Sequence, residues 1–111
     1  MKKLFALTLA VLMVLGLFAG CKPAANNEVT NEYDLVKPGK LTVAISPDFA
    51  PMEFVDPTKT GQDKFVGFDV SLAKFIAEEL GVTLEIMPLD FDACQTAVET
   101  GKVDMSISGY S

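Results

Sequence analysis

The chain has 111 residues and a formal net charge of −6, with nine lysines, fifteen acidic residues and neither arginine nor histidine. So acidic a chain lacks the basic surface that binding to nucleic acid or to an anionic membrane requires. The lack of histidine removes the commonest general base and metal ligand, and Cys21 and Cys94 do not form the close pairs of a zinc site. We therefore expect no nucleic-acid partner, no metal and no cofactor.

The first twenty residues indicate an export signal. Lys2 and Lys3 precede an apolar run from Leu4 to Ala19 that is interrupted only by Thr8 and Gly16. As a helix this run would be about 24 Å long, which is shorter than the roughly 30 Å hydrocarbon core of a bilayer. A secretory signal is therefore favoured over a transmembrane helix.

The end of this run carries a processing motif. The four residues Phe18-Ala19-Gly20-Cys21 resemble the bacterial lipoprotein box, in which the cysteine is lipidated and becomes the new N-terminus. We expect residues 1–20 to be a lipoprotein signal peptide and Cys21 to be the lipidation site. An ordinary signal peptide with an incidental cysteine is the alternative, and a Cys21–Cys94 disulfide is also open to an exported protein.

The next segment is polar and has almost no apolar periodicity. Residues 22–38 read KPAANNEVTNEYDLVKP, a composition that buries too little apolar surface to fold by itself. We expect residues 21–39 to form a flexible tether that holds a domain near the membrane.

Residues 40–111 alternate predicted strands with predicted helices. Short apolar or β-branched runs predict strands, whereas apolar residues at intervals of three and four predict helices. Strands are expected at Leu41–Ser46, Val82–Met87 and Val103–Ser108, a hairpin at Met52–Val55 with Phe65–Phe68, and helices at Asp69–Leu80 and Asp90–Thr100. This order predicts an α/β fold with a parallel β-sheet flanked by helices.

The first helix has the clearest pattern. We expect Asp69 to cap its N-terminus and Gly81 to end it. Its predicted core-facing residues are Val70, Ala73, Ile76, Ala77 and Leu80. In the second helix, Cys94 lies on the apolar face and is expected to be a core residue.

Three loops leave the carboxyl ends of the predicted parallel strands, where α/β sheets bind ligands. Two carry an aromatic residue, Phe49 and Phe91, and the third carries Gly109 and Ser111. Aromatic faces accept an alkyl chain or an ammonium, while a glycine N–H and a serine hydroxyl can bind a carboxylate. These residues predict half of a site for an amino acid, although either phenylalanine alone could simply pack in the core.

Two groups of acidic residues could indicate a catalytic pair or a metal site, but each is better explained by local structure. Asp90 and Asp92 flank a predicted helix start, where carboxylates cap free N–H groups, so we expect capping and no catalytic residue. The segment Asp56–Gly61 is similar to a calcium loop, but Thr58 and Thr60 replace acidic ligands, so no metal site is supported.

The segment Gly67–Gly81, GFDVSLAKFIAEELG, resembles the motif of the polar-amino-acid-binding family of bacterial extracytoplasmic solute-binding proteins. The flanking stretches LTVAISPDFAPMEF and LDFDACQTAVETGKVDMSISGYS match the family in order and spacing. The chain departs from the motif at Ser71, where the family usually has an acidic residue.

The resemblance implies an extracytoplasmic, lipid-anchored and monomeric protein that closes two lobes on a small amino acid and delivers it to an ABC transporter permease. It implies that Phe49 and Phe91 hold the ligand between rings, and that Gly109 and Ser111 meet its α-carboxylate. It also places Ser46 at the ligand, where members that bind basic side chains often have aspartate. The neutral hydroxyl of Ser46 argues against a cationic ligand.

Family members continue into an arginine-bearing helix and a second lobe. We therefore expect residues 40–111 to be the N-terminal part of the first lobe of a periplasmic-binding-protein-like fold, with the second lobe absent. The alternatives are a periplasmic lyase of the cyclohexadienyl dehydratase type and the ligand-sensing domain of a receptor. The lack of histidine argues against the lyase, and the lipoprotein box argues against the receptor.

Overall fold

The structure is a computed structural model, and it describes residues 30–110. The predicted signal peptide, Cys21 and Ser111 lie outside the described residues. Within them, the strands are β1 (Lys40–Ile45), β2 (Asp48–Phe49), β3 (Glu53–Val55), β4 (Phe65–Val66), β5 (Thr83–Pro88) and β6 (Met105–Ser106). The helices are α1 (Phe68–Leu80) and α2 (Phe91–Glu99), and a short 3₁₀ turn spans Gly61–Lys64.

The central sheet is parallel, as the sequence predicted. Its strand order is β5-β1-β6, and Val43 of β1 pairs with Ile86 on one side and with Met105 on the other. All three strands therefore direct their carboxyl ends to the same edge. Of the predicted third strand, only Met105–Ser106 is regular, because the preceding N–H of Val103 bonds to the carbonyl of Ala97 in α2.

The two helices pack on opposite faces of this sheet. Alternate residues of β1 point to opposite faces. One face meets α1 and the other meets α2, which confirms the predicted layers. The α1 side buries Leu41, Val43, Ile45, Val70, Ala73, Ala77 and Ile86, and the α2 side buries Ala44, Cys94, Ala97 and Val103.

A second, antiparallel sheet of order β2-β3-β4 covers one end of the domain. Phe54 pairs with Val66, so the predicted hairpin between these apolar patches is confirmed. The side chain of Gln62, which lies between β3 and β4, links this second sheet to the central sheet. Its amide accepts the N–H of Ile86 at 2.6 Å and donates to the carbonyl of Ile86 at 3.1 Å. This amide covers the outer edge of β5, where an exposed strand would invite pairing with another chain.

The start of α1 differs from the prediction. The residue that precedes the helix is Gly67, and Asp69 makes no capping bond. The free N–H groups of Phe68 and Asp69 instead donate to the carbonyls of Pro51 and Met52, at 3.2 and 2.8 Å. Because the hairpin satisfies these donors, no side-chain cap is needed. The predicted end at Gly81, in the left-handed conformation, is confirmed.

Part of the predicted tether is folded onto the domain. Leu35 is buried in the core beside α1, and its N–H donates to the side chain of Asn31 at 2.7 Å. Asp104 accepts the N–H of Val36 at 2.8 Å and that of Thr42 at 2.7 Å, so one carboxylate joins the entering chain to β1. Leu35 alone supplies apolar burial that the polar composition of this segment did not predict, since Val36 is exposed.

No helix within residues 30–110 is long and apolar enough to cross a membrane.

Gly67 provides a test of how α1 is attached. Its φ is +119°, and a Cβ there would lie 2.3 Å from the carbonyl oxygen of Met52. We expect Gly67→Ala to lower the free energy of unfolding by about 3 kcal/mol or more, from backbone strain and overlap together. Gly61→Ala is the matched control, since Gly61 also has positive φ (+61°) but has no atom within 4 Å of its Cβ position. If urea denaturation shows the same loss of stability for Gly67→Ala and Gly61→Ala, the close approach of Gly67 to the Met52 backbone is contradicted.

Candidate functional site

A cavity of about 250 Å³ lies at the carboxyl edge of the central sheet, where β1 and β6 end. It is lined by Asp48, Phe49, Glu53, Phe91 and Gly109. Three of these five are residues that the sequence predicted for the ligand. Larger surface grooves occur elsewhere in the described chain, such as one of about 440 Å³ beside Lys59 and Lys74, but that groove has no aromatic wall and no buried acid.

Phe49 forms one wall of the cavity. It pairs with Glu53 across β2 and β3, so both side chains lie on the same face of the small sheet. Its ring is 54% exposed, and two ring carbons lie 3.3 Å from the position that a Cβ of Gly109 would occupy. Gly109 therefore lets the ring approach the loop after β6, and any side chain there would displace it.

Phe91 is the second aromatic residue that lines the cavity. It is the first residue of α2 and is 43% exposed. Its ring packs against Tyr110 with a centroid distance of 5.0 Å and an interplanar angle of 39°. The Tyr110 hydroxyl lies 2.7 Å from the hydroxyl of Ser106, which donates to the carbonyl of Ala44 at 3.0 Å. This series of contacts connects the ring to the middle of the central sheet and holds it in place.

Glu53 forms the floor of the cavity and is 1% exposed. Its Oε1 accepts a short hydrogen bond from the hydroxyl of Ser108, which itself accepts the N–H of Ser46 at 3.4 Å. The other oxygen, Oε2, has no hydrogen-bond partner among the described residues. The carboxyl group thus joins the hairpin to the loop after β6.

The surroundings of Glu53 favour its protonated form. Burial is the largest cause that raises its pKa from the ordinary 4.5 to about 7, and the neighbouring Asp69 carboxyl contributes to the same rise by hydrogen bonding and repulsion. The Ser108 hydroxyl and the Gly109 N–H act in the opposite direction. A proton on Glu53 can be donated to Asp69, which explains how two buried carboxyl groups coexist here.

Ser46 lies near the cavity but does not line it. It is 4% exposed, and its hydroxyl donates to Asp48 at 3.2 Å. The charge of the cavity is therefore set by Asp48 and Glu53. Because the Ser46 hydroxyl bonds to Asp48, a carboxylate stands beside the neutral residue from which the sequence argued against a cationic ligand.

The other acidic residues and Cys94 take no part in this cavity's polar contacts. Asp90 precedes α2 but makes no side-chain capping bond, so the predicted hydrogen bond is absent. Cys94 is fully buried in the core, as predicted, and burial raises the pKa of its thiol, which leaves it unreactive.

The sequence analysis missed three contributors, namely Glu53, Asp48 and Tyr110. Glu53 left one signal, since it is a lone acid inside the apolar run MEFV that was assigned to a strand. A charged residue in such a run must either face water or be paired with another polar group when it is buried. Asp48 and Tyr110 left no such signal, because each stands in a polar loop where many residue types are tolerated.

A family model, a curated relative and a solved structure all relate this chain to extracellular solute-binding proteins. The model of the family described as bacterial extracellular solute-binding proteins, family 3, matches residues 41–111. The arginine-binding extracellular protein ArtP of Bacillus subtilis is 39% identical over 72 residues, or 65% of this chain and 26% of ArtP. A crystal structure of the arginine-bound form of domain 1 from TmArgBP, of T. maritima, is 46% identical with a TM-score of 0.60, covering 66% of this chain and 55% of that one.

A more distant relative is an enzyme. The cyclohexadienyl dehydratase of Pseudomonas aeruginosa is 29% identical over 77 residues, or 69% of this chain and 27% of the enzyme. The chain spans about a quarter to two-fifths of the length of the curated relatives that it matches.

The raised pKa of Glu53 predicts how stability depends on pH. Between pH 4.5 and 7 the folded state keeps a proton that the unfolded chain has released, so this group lowers stability as the pH rises through that range. Glu53→Gln imitates the protonated acid and cannot ionise. We therefore expect the free energy of unfolding of Glu53→Gln, relative to that of the wild type, to rise by about 3 kcal/mol between pH 4 and pH 8.

Urea denaturation across this pH range measures the difference. Glu85→Gln is the control, because the Lys37 hydrogen bond lowers the pKa of Glu85, so its loss should have the opposite pH dependence. A constant difference between wild type and Glu53→Gln at all pH values would contradict the assignment.

Proposed function

Because this chain belongs to the bacterial extracellular solute-binding proteins of family 3, we propose that it captures an amino acid outside the cytoplasm and delivers it to an ABC transporter. The names of two further relatives include an ABC transporter. Residues 40–111 would then be the first part of a ligand-binding lobe. The protein is a carrier in this proposal, acting as a monomer with the permease as its partner.

The cavity between Phe49 and Phe91 is the observation that carries this proposal. Its two half-exposed rings offer apolar surface for an alkyl chain and negative faces for a cation. Gly109 lines the cavity beside Phe49, and the backbone of Gly109 and the hydroxyl of Ser111 are the proposed contacts of the ligand's α-carboxylate. These groups complement the two parts of an amino acid.

The ligand class is a cationic amino acid. Asp48 and Glu53 line the cavity, and no lysine stands among its lining residues. An anionic or strongly polar neutral side chain would have to be desolvated against carboxyl groups, which is unfavourable. ArtP and domain 1 of TmArgBP, both described as binding arginine, support the same class.

A lyase is the second candidate, supported by the dehydratase relative and by Glu53, whose raised pKa suits a general acid. Elimination also needs a base on the substrate. Histidine is missing from the whole sequence, and the partners described for Glu53 are a hydroxyl, a backbone N–H and a second acid. Binding without chemistry therefore agrees better with the residues around the cavity.

The membrane anchor is proposed at Cys21, which lies outside the described residues. We expect mass spectrometry of membrane-bound protein to find a diacylglyceryl adduct on Cys21, and Cys21→Ser to move the protein into the soluble fraction. Cys94→Ser is the control and should stay with the membrane, because Cys94 is buried in the core. An unmodified Cys21, or a disulfide between the two cysteines, would contradict the anchor.

The ligand proposal is tested at the two aromatic walls. In the natural protein at its full length, we expect Phe49→Ala and Phe91→Ala each to weaken arginine binding by about 1–3 kcal/mol through lost ring contact. Calorimetry measures the affinity, and a thermal melt measures the fold. Phe75→Ala is the matched control, since Phe75 is an exposed phenylalanine of α1 that does not line the cavity.

Two outcomes oppose the proposal. Failure of the wild type to bind any common amino acid would reject amino-acid capture. Unchanged affinity with a strongly lowered melting temperature would show that the altered ring is a packing residue.

A further inference from the structure

The two aromatic residues of the cavity are held in different ways. Phe49 is restricted from two sides, by its strand pairing with Glu53 and by its close approach to Gly109. Phe91 is the first residue of α2, and the buried residues of that helix lie further along it. The ring of Phe91 is 43% exposed, so the core does not enclose it. A half-exposed phenylalanine can adopt more than one side-chain rotamer unless a neighbour restricts it.

Tyr110 is the neighbour that restricts Phe91. The two ring centroids are 5.0 Å apart and the rings are tilted by 39°, which is an arrangement that aromatic pairs favour. Tyr110 is absent from the lining of the ligand cavity. It lines a separate groove of about 500 Å³ instead, with residues of α2 and β6 that include Val98 and Ser106. The Tyr110 side chain can therefore influence the cavity through the Phe91 ring without lining the cavity itself.

The hydroxyl of Tyr110 is bound to the central sheet. It lies 2.7 Å from the hydroxyl of Ser106, whose single hydrogen is donated to the carbonyl of Ala44 at 3.0 Å. Tyr110 is therefore the donor in its bond to Ser106. Burial raises the pKa of the Tyr110 hydroxyl, so the hydroxyl keeps its proton and this bond at neutral pH. The N–H of Tyr110 also donates to the carbonyl of Ser108 at 2.7 Å, so the residue is held at its backbone and at the tip of its side chain.

We propose that Tyr110 is a positioning residue of the cavity, whose hydrogen bond to Ser106 holds the Phe91 ring in the orientation that meets the ligand. This inference rests on the proposed function. A ring that is ordered before the ligand arrives loses no rotamer freedom when the ligand binds. Ordering one such side chain during binding weakens the affinity by about two- to tenfold. The hydroxyl of Tyr110 therefore contributes to affinity although it does not contact the ligand.

Tyr110→Phe tests the hydroxyl and keeps the aromatic ring. With the natural protein at full length, we expect calorimetry to show that Tyr110→Phe binds arginine about two- to tenfold more weakly than the wild type does. Ser106→Ala removes the other end of the same hydrogen bond and should cause a similar loss. Tyr33→Phe is the matched control and should bind as the wild type does, because Tyr33 is an exposed tyrosine that does not line the cavity.

A double-mutant cycle shows whether the effect passes through Phe91. In the Phe91→Ala background we expect Tyr110→Phe to cause no further loss of affinity, because the ring that it positions is gone. In the Phe49→Ala background Tyr110→Phe should keep its full effect, since Phe49 is restricted by other contacts. A residue that only stabilised the fold would instead lower the melting temperature and change the affinity equally in both backgrounds.

A second measurement needs no ligand. Fluorine NMR of the protein with fluorinated phenylalanine identifies the Phe91 signal, because that signal is missing in Phe91→Ala. In the empty protein we expect Tyr110→Phe to shift or broaden the Phe91 signal, since the ring is then free to change rotamer. Tyr33→Phe should leave the signal unchanged.

The outcomes separate this inference from the proposed function. If the wild type does not bind arginine, the proposed ligand is rejected, and the fluorine signal still decides whether Tyr110 orders the Phe91 ring. If arginine binds the wild type and Tyr110→Phe equally well, or if Tyr110→Phe keeps its effect in the Phe91→Ala background, the inference is overturned although capture stands. A Phe91 fluorine signal that Tyr110→Phe leaves unchanged would overturn the inference as well.

Discussion

The burial of one carboxyl group, that of Glu53, is the constraint on which the site depends. Glu53 belongs to the hairpin, its hydrogen-bond donor Ser108 belongs to the loop after β6, and its neighbour Asp69 belongs to α1. A buried carboxyl is unfavourable without polar neighbours, and these three segments meet around it. Once they meet, Phe49 and Gly109 lie against each other, since Phe49 pairs with Glu53 and Gly109 follows Ser108. The cavity is thus a consequence of how the acid is accommodated.

The attachment of α1 also depends on polar groups from two segments that satisfy each other. A helix start exposes free N–H groups, and the hairpin turn exposes carbonyls. Each satisfies the other through the bonds from Phe68 and Asp69 to Pro51 and Met52. The close approach requires Gly67, because any Cβ there would overlap the backbone of Met52. The same bonds hold the start of α1 against the hairpin, and Asp69 there raises the pKa of Glu53.

Periodic, locally determined features were predictable from the sequence, whereas features made by distant contacts were not. The strand Leu41–Ser46 and the apolar face of α1 follow from side-chain spacing, and both were found. Phe49 and Phe91 were placed at one site by the rule that parallel strands end at a common edge. The burial of Ser46 depends on where Asp48 folds back, which no spacing reveals. The capping predicted for Asp69 is absent because carbonyls seventeen residues earlier in the chain accept the N–H groups of Phe68 and Asp69.

The arrangement around Glu53 links stability to binding. In the empty protein, ionising this buried acid opposes folding, so Glu53 lowers the free energy of unfolding most at a pH above 7. A ligand that binds the folded state alone stabilises it by mass action, and the gain grows with affinity. Under the proposed function, a ligand whose contacts favour the ionised carboxyl would bind best in the pH range in which the empty fold is destabilised. The ionisation of Glu53 would therefore link the stability of the empty fold to the affinity of the site, and a neutral residue at position 53 would remove that link.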